Sequence, residues 1–361
     1  MAKKILVVDD SALMRRVFCD IINSDTRFQV VDMAVNGLEA FDLISKNQYD
    51  AVVLDVNMPK MNGLELMRKL RQYKISVRIM VASTATSEGA KTTLDALELG
   101  ALDFIHKPDN AADCREDSFR DQLLRILSVV VNGKPPVYET QEQQEQQIQI
   151  NRKMVDILQK NVGKVPGKKL VAIASSTGGP KALQSVIPKL PAQLDAPVLL
   201  VQHMPKGFTA SLAERLNTLS EVTVKEAADG MVLESGTVYV AKGGLHMNVR
   251  TSTAGQYTIQ LSDEPSREGV KPCANYMYES LMDSRFDNIV CVVMTGMGAD
   301  GTEGIRNLES KKQVHVIAQD QATSTVYGMP KSVVGAGLAD QVVPLEKIAQ
   351  EIILRVGVKN Q

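Results

Sequence analysis

Short apolar runs recur along this chain in two series, each run ending on a polar or ionisable residue and followed by a stretch of helical period. In the first series, ILVVD (5–9), QVVDMAV (29–35), AVVLD (51–55), VRIMVA (77–82) and LDFIH (102–106) read as strands. Helical segments lie between them: after Gly63, for example, Leu64, Met67, Leu70 and Arg71 share a helical spacing. Strands that alternate with helices pair in parallel, because parallel neighbours need a long crossover, and the helices then cover both faces of the sheet. The second series begins near residue 167 with LVAIAS (170–175), PVLLVQH (197–203), VTVKEA (222–227), NIVCVVMTG (288–296) and QVHVIAQD (313–320). TVYVA (237–241), MNVRT (247–251) and QYTIQL (256–261) read instead as an antiparallel insert, the last two joined across Ser252–Gly255. The second series does not repeat the sequence of the first.

Between the two series the composition changes. Pro135-Pro136 ends the first, and six of the nine residues 141–149 are Gln. Such a segment has too little apolar surface to offset its ordering entropy and reads as a linker, with one short amphipathic helix allowed by Ile150, Met154, Ile157 and Leu158. The expected organisation is a (βα)5 α/β domain over residues 1–130, a linker over 131–166, and a second doubly wound, mainly parallel α/β domain with an antiparallel insert over 167–361. A chain of 361 residues is long enough for two cores.

A formal net charge of -1 gives no global field that would draw the chain to nucleic acid or anionic lipid, and no basic recognition helix is present to support a transcriptional regulator. The amino-terminal apolar run, Ile5 to Val8, is too short for a signal peptide, and no membrane-spanning run occurs, so a cytoplasmic protein without membrane insertion is expected. Cys19, Cys114, Cys273 and Cys291 are far apart and form no C-x-x-C pair, which points to reduced thiols rather than disulfides or zinc.

In parallel sheets the chemistry collects at the carboxyl ends of the strands. In the first domain these ends carry Asp9-Asp10, Asp55, Ser83 or Thr84, and Lys107. Three carboxylates in one crevice repel each other unless a cation lies between them, and Mg²⁺, which takes oxygen ligands, suits that place. Asp55 is then the candidate nucleophile for aspartyl-phosphate chemistry, with Lys107 a point charge for the phosphoryl group and a hydroxyl at 83–84 a donor to it. Any one of these aspartates alone reads more readily as a helix cap; four correctly typed strand ends in order argue against that reading.

Three motifs end strands of the second domain: Ser176 before Gly178-Gly179-Pro180, His203 in QHMP, and Asp300 in a Gly-rich turn. A hydroxyl needs a base to become a nucleophile, and the base needs an orienting carboxylate; Ser176, His203 and Asp300 supply these in order. Backbone N–H groups near the glycines could face an oxyanion. The same residues also fit a dinucleotide fingerprint, since Gly296, Gly298 and Gly301 follow a strand as G-x-G-x-x-G and Asp320 ends the next one. A Rossmann-like nucleotide-binding domain is therefore the alternative, although two βα units precede the motif and Ser176 and His203 would be left without a role. The S-S-T-G-G turn could also cradle a phosphate, but lacks the P-loop G-K-[ST]. His246, after Gly243-Gly244, is the rival base; His106 and His315 read as structural.

Residues 1–130 resemble the receiver domains of two-component response regulators, on the DD at 9–10, D-x-x-M-P with Asp55, Met58 and Pro59, Gly63, and K-P at 107–108. The resemblance implies a flavodoxin-like fold, phosphorylation of Asp55 by a histidine kinase, Mg²⁺ held by Asp9, Asp10, Asp55 and the carbonyl of Asn57, and Ser83 and Lys107 as switch residues. VASTATSEG is about one residue longer than the family pattern, which leaves Thr84 as a second choice. Asn57 replaces an acidic residue, with little consequence if that position acts through its carbonyl. ASSTGGP, QHMP, G-x-V-Y-V-A with G-G-x-H-M, and TGMGADG resemble, in that order, the CheB family of chemotaxis methylesterases over roughly 168–355. That resemblance implies Ser176 as nucleophile, His203 as base, Asp300 as its orienter, and the N–H groups of Thr177 and Met297 as oxyanion donors, with no cofactor at the esterase step. It further implies hydrolysis of glutamate methyl esters and deamidation of glutamines on chemoreceptors, recruitment to receptor arrays, and control by phosphorylation of the receiver.

Overall fold

A computed structural model describes residues 1–84, 86–108, 117–136, 165–252 and 255–359. Two compact units divide the chain, Met1–Glu139 and Thr140–Gln361. The Gln-rich segment and the helix considered around Ile150 to Leu158 lie outside the described residues, as does Cys114.

In the first unit the apolar runs become β1 (Lys3–Val8), β2 (Phe28–Ala34), β3 (Ala51–Asp55), β4 (Ile79–Ser83) and β5 (Asp103–His106). They form one parallel sheet in the order β2-β1-β3-β4-β5, the flavodoxin-like order expected. β3 is buried along its whole length, as a central parallel strand covered on both faces must be. The helices are α1 (Ala12–Asn23), α2 (Gly37–Lys46), α3 (Gly63–Gln72), α4 (Ser87–Leu99) and α5 (Asp117–Asn132), the last continuing past residue 130. α1 and α5 cover one face through Val17, Phe18, Ile22, Leu123, Leu127 and Val130. α3 starts where Asn62 and Glu65 satisfy each other's backbone N–H groups, a reciprocal cap contributing about 1 kcal/mol.

The second unit is built on a seven-stranded, wholly parallel sheet, in the order β14-β13-β12-β6-β7-β9-β8. Its strands are β6 (Lys169–Ser175), β7 (Val198–Gln202), β8 (Thr223–Glu226), β9 (Thr237–Val240), β12 (Asn288–Val293), β13 (Val314–Gln319) and β14 (Gln341–Val343). The helices are α6 (Gly179–Val186), α7 (Phe208–Leu219), α8 (Ala274–Glu279), α9 (Thr302–Glu309), α10 (Met329–Gly335) and α11 (Leu345–Val356). β10 (His246–Thr251) and β11 (Tyr257–Ser262) form the expected antiparallel hairpin.

TVYVA does not belong to that insert. It is β9, parallel to β7 on one side and β8 on the other. Thr237, Val238, Tyr239 and Val240 are all buried, so both faces of the strand are covered and its alternation carries no sidedness. β14, an edge strand of three residues, is too short to stand out in the sequence. No described helix is long and apolar enough to cross a membrane. Among the described thiols Cys273 and Cys291 are buried and free, while Cys19 is free and only half-buried.

Each unit has its own sheet and its own core, so residues 1–136 and 165–361, expressed separately, are each expected to unfold in one cooperative transition. Matched urea curves from circular dichroism and intrinsic tyrosine fluorescence test this; a fragment with no cooperative transition would show that its core is incomplete.

Candidate active site and acidic crevice

β6 is the first strand of the second sheet, and the chain leaves it first toward β7 and later returns on its other side as β12. That reversal opens a crevice at the carboxyl ends of the three strands, the usual binding place in an open α/β sheet. The structure brings Ser176, His203 and the Gly296–Gly301 loop there. Ser175 and Gln202 are register partners at the ends of β6 and β7, so Ser176 and His203 leave adjacent strands side by side.

The turn after β6 is fixed from two directions. Ser176 N–H donates to Thr295 O at 3.0 Å, and the Thr295 hydroxyl donates to Thr177 O at 2.9 Å. Thr295 is itself held by buried Gln319, whose Oε1 accepts the Thr295 N–H at 2.8 Å. Gly178 adopts φ +77, which glycine allows without penalty, and a Cβ there would strike Thr325. Pro180 then starts α6.

His203 Nε2 lies 2.7 Å from Asp300 Oδ2. Next to an ionised carboxylate Nε2 carries the proton, which leaves Nδ1 bare as the basic nitrogen. Neither Nδ1 nor Ser176 Oγ makes a hydrogen bond to a described residue, and none joins the two. Bonds of this type commonly tighten only when substrate is bound.

Asp300 is 2% exposed. Burial pushes its carboxyl pKa up, but the hydrogen bond from His203, its positive potential, and donation from Ala274 and Cys273 outweigh burial and hold the group below the usual carboxylate range. Oδ2 also accepts Ala274 N–H at 2.6 Å, while Oδ1 accepts Asn275 N–H at 2.9 Å and the Cys273 thiol at 3.0 Å. The first two backbone amides of α8 thus solvate the carboxylate. The sequence reading missed Cys273, Ala274 and Asn275; their only signal is a small-residue helix start following Pro272.

His246 is not in the rival position. It is fully buried; its Nδ1 accepts Cys273 N–H at 3.1 Å and its Nε2–H donates to Pro265 O at 3.2 Å. Burial lowers its pKa, in keeping with a neutral ring that bonds backbone on both sides. Gly243 packs on the loop after His203, where a Cβ would come within 2.3 Å of Pro205 O.

The Gly-rich loop has the wrong contacts for a pyrophosphate. The N–H groups of Gly301 and Gly304, at the start of α9, both donate to the buried Asn275 Oδ1, at 3.0 and 2.6 Å. Asp320 spends its carboxylate on Thr323 in its own turn. Gly296 instead allows the loop to touch the Ser176 turn: a Cβ there would lie 2.8 Å from Ser176 Cβ and 2.3 Å from Met329 Sδ. Met297 N–H, the next amide, has no hydrogen-bond partner among the described residues.

In the first unit, one oxygen from each of Asp9, Asp10 and Asp55 lies within 4.8 Å of the others. Lys107 Nζ bridges Asp9 Oδ2 at 2.6 Å and Asp55 Oδ2 at 2.8 Å. Asp10 is exposed, whereas Asp9, Asp55 and Lys107 are buried. Burial raises the Asp55 pKa; Lys107 opposes this, and Asp9 adds to it. Three carboxylate oxygens around a partly exposed point, with one of them held against its preference for neutrality, fit a hard divalent cation. Asn57 is exposed and its N–H donates to Asp55 Oδ1 at 3.3 Å. Ser83 ends β4 opposite His106, its carbonyl accepts Lys107 N–H at 2.7 Å, and its hydroxyl donates to Gly89 O at 3.1 Å. Thr84 is exposed.

Comparison with known proteins places these geometries in context. The CheB methylesterase family profile matches residues 171–352, and the response regulator receiver domain profile matches residues 5–117. A protein-glutamate methylesterase/protein-glutamine glutaminase of Syntrophomonas wolfei subsp. wolfei is 42% identical over 356 residues, covering 97% of this chain and 98% of that protein. One of Bacillus subtilis is 40% identical over 353 residues, covering 97% of each. The crystal structure of the Thermotoga maritima CheB methylesterase catalytic domain is similar at TM-score 0.50 and 42% identity, over 52% of this chain and 98% of that one.

The raised pKa of Asp55 has a thermodynamic consequence. A carboxyl whose folded pKa exceeds its unfolded value favours the fold below the unfolded pKa, and that advantage is lost as pH rises through the folded one. Without divalent cation at pH 7, Asp55→Asn is therefore expected to raise the melting temperature of the receiver unit, by roughly 3–4 °C for each kcal/mol in a domain of this size. The difference should vanish below about pH 4, near the unfolded value of an aspartate. Calorimetry of residues 1–136 at both pH values checks this; a variant destabilised at pH 7 would contradict the assignment of Asp55 as a strained carboxylate.

Proposed function

The chain belongs to the CheB methylesterase family and carries a response regulator receiver domain, and from that premise we propose that Ser176, His203 and Asp300 hydrolyse glutamate γ-methyl esters on chemoreceptors. The enzyme is a hydrolase of the protein-glutamate methylesterase/protein-glutamine glutaminase class. The observation that carries the site is the His203–Asp300 bond of 2.7 Å at the strand ends beside Ser176.

Ser176 Oγ attacks the γ-carbonyl as His203 Nδ1 takes its proton. The oxyanion is met by the N–H groups of Thr177 and Met297, and Asp300 stabilises the imidazolium. Collapse breaks the ester C–O bond and methanol leaves with the proton from His203. Water then attacks the acyl-serine with the same base, releasing glutamate and restoring Ser176. A glutamine side chain follows the same course with ammonia as the leaving group. In this reading the step uses these protein groups and no cofactor.

The receiver covers residues 1–130, the linker 131–166 and the catalytic domain 167–361 in this reading. Asp55 accepts a phosphoryl group from a chemotaxis histidine kinase. Asp9, Asp10, Asp55 and the Asn57 carbonyl would hold Mg²⁺, which supplies positive charge against the carboxylate and phosphoryl oxygens. Lys107 would contact the phosphoryl group, and Ser83 would exchange its bond to Gly89 O for a phosphoryl oxygen. The protein acts in the cytoplasm on methylated receptors gathered in arrays, and phosphorylation raises its activity.

Methanol release from methylated receptor membranes tests both halves. Ser176→Ala is expected to abolish it, and Asp300→Asn to lower kcat by about 10²–10⁴. His246→Ala should retain far more activity than His203→Ala, since His246 bonds only backbone. Equal losses at the two histidines, with Asp300→Asn near wild type, would require a different base.

In the same assay, a small-molecule phosphodonor with Mg²⁺ is expected to stimulate the wild type and not Asp55→Asn. Undiminished stimulation of the variant would place the phosphorylation elsewhere.

A further inference from the structure

We propose that Gln202 is a positioning residue for the esterase, holding the nucleophile turn and the base loop in one orientation through its side-chain amide. The inference rests on Ser176 being the nucleophile. Gln202 ends β7 and is 2% exposed. Its Nε2 donates to Ser176 O at 2.9 Å and to His203 O at 3.2 Å, and its Oε1 accepts the Ser175 hydroxyl at 2.7 Å. Both amide hydrogens are used, and the amide cannot flip, because Oε1 would then face two carbonyl oxygens.

Ser176 O also accepts Gly179 N–H at 2.8 Å, so two donors fix that carbonyl, one of them the Gln202 amide. In a trans peptide the carbonyl and the following N–H point in opposite directions. Fixing Ser176 C=O therefore fixes Thr177 N–H, a proposed oxyanion donor, facing away from Gln202. The same amide, through His203 O, restrains the loop that presents the imidazole. One buried side chain thus couples the direction of an oxyanion donor to the placement of the base. Gly179 belongs to the same device: a Cβ there would lie 1.9 Å from Gln202 Oε1, so glycine leaves room for the amide.

The role predicts a loss in kcat rather than in KM. In the phosphodonor-activated full-length enzyme, Gln202→Leu and Gln202→Glu are expected to lower kcat about 10²–10³-fold, the usual effect of losing an oxyanion donor, with KM within roughly 3-fold. Gly179→Ala, which displaces the amide without altering its chemistry, should reproduce that loss and serves if the Gln202 variants do not fold. Val201→Ala, a core truncation on the same strand, supplies a variant destabilised by packing alone and should keep kcat within a few-fold. Melting curves accompany each assay. A kcat for the Gln202 and Gly179 variants within about 5-fold of wild type would overturn the proposal. So would a loss in Val201→Ala as large as theirs at an equal fall in melting temperature, since the role would then be structural. Ser176→Ala is run alongside: if it still released methanol, the nucleophile assignment would fall instead, whatever the Gln202 variants do.

Discussion

A carboxylate buried as deeply as Asp300 has lost its water, and the protein must supply the missing donors. An unpaired charge there would cost several kcal/mol, a large fraction of the stability of a domain. Four groups meet the requirement: the imidazole of His203, the amides of Ala274 and Asn275, and the thiol of Cys273. They come from the end of β7 and from the segment that the β10–β11 hairpin returns to the sheet. Much of the second unit can be read as the means of bringing those two places to one carboxylate. His246 fixes the amide of Cys273, Asn275 ties α8 to α9 through Gly301 and Gly304, and Gly243 seats the loop that follows His203.

The acidic crevice solves the opposite problem. Asp55 and Asp300 both end or follow parallel strands in largely buried positions, yet their pKa values move in opposite directions. Asp300 is surrounded by donors, which hold its pKa down and keep it ionised. Asp55 has only Lys107 and the amide of Asn57 against burial and a second carboxylate, Asp9. Poor solvation of its charge favours anything that brings positive charge to it. Environment, rather than residue type, sets the two carboxyls apart.

The strand ends were the most legible part of the sequence, because an apolar run closing on Asp, Ser, His or Lys marks both the strand and its chemistry. Asp9, Asp55, Lys107, Ser176 and His203 all lie where that rule puts them. What it could not reveal were partners that act through backbone. Ala274 and Asn275 serve Asp300 by their N–H groups, and a backbone donor has no residue signature. Gln202 and Gln319 were visible as polar residues closing apolar runs, but only packing shows that their amides turn inward onto neighbouring turns. β9 was misassigned for a related reason. Its residues look like those of the neighbouring hairpin strands, and only the register shows that it pairs in parallel with β7 and β8.

The Gly-rich turn shows why a motif needs its surroundings. G-x-G-x-x-G specifies where a backbone can be approached closely or turned through positive φ, and the ligand is a separate matter. Gly298 and Gly301 do adopt φ +89 and +98. The approach at Gly296, however, is made by Ser176 and Met329, and the helix amides that a pyrophosphate would need are bonded to Asn275. An anion could bind there only by displacing a fully buried side chain whose own amide hydrogen is committed to Glu268 at 2.8 Å. Asp300 would add its negative charge directly beside that anion. The glycines that suggested a cofactor cradle instead let one loop carry Asp300 to His203 while its first residues press against the Ser176 turn.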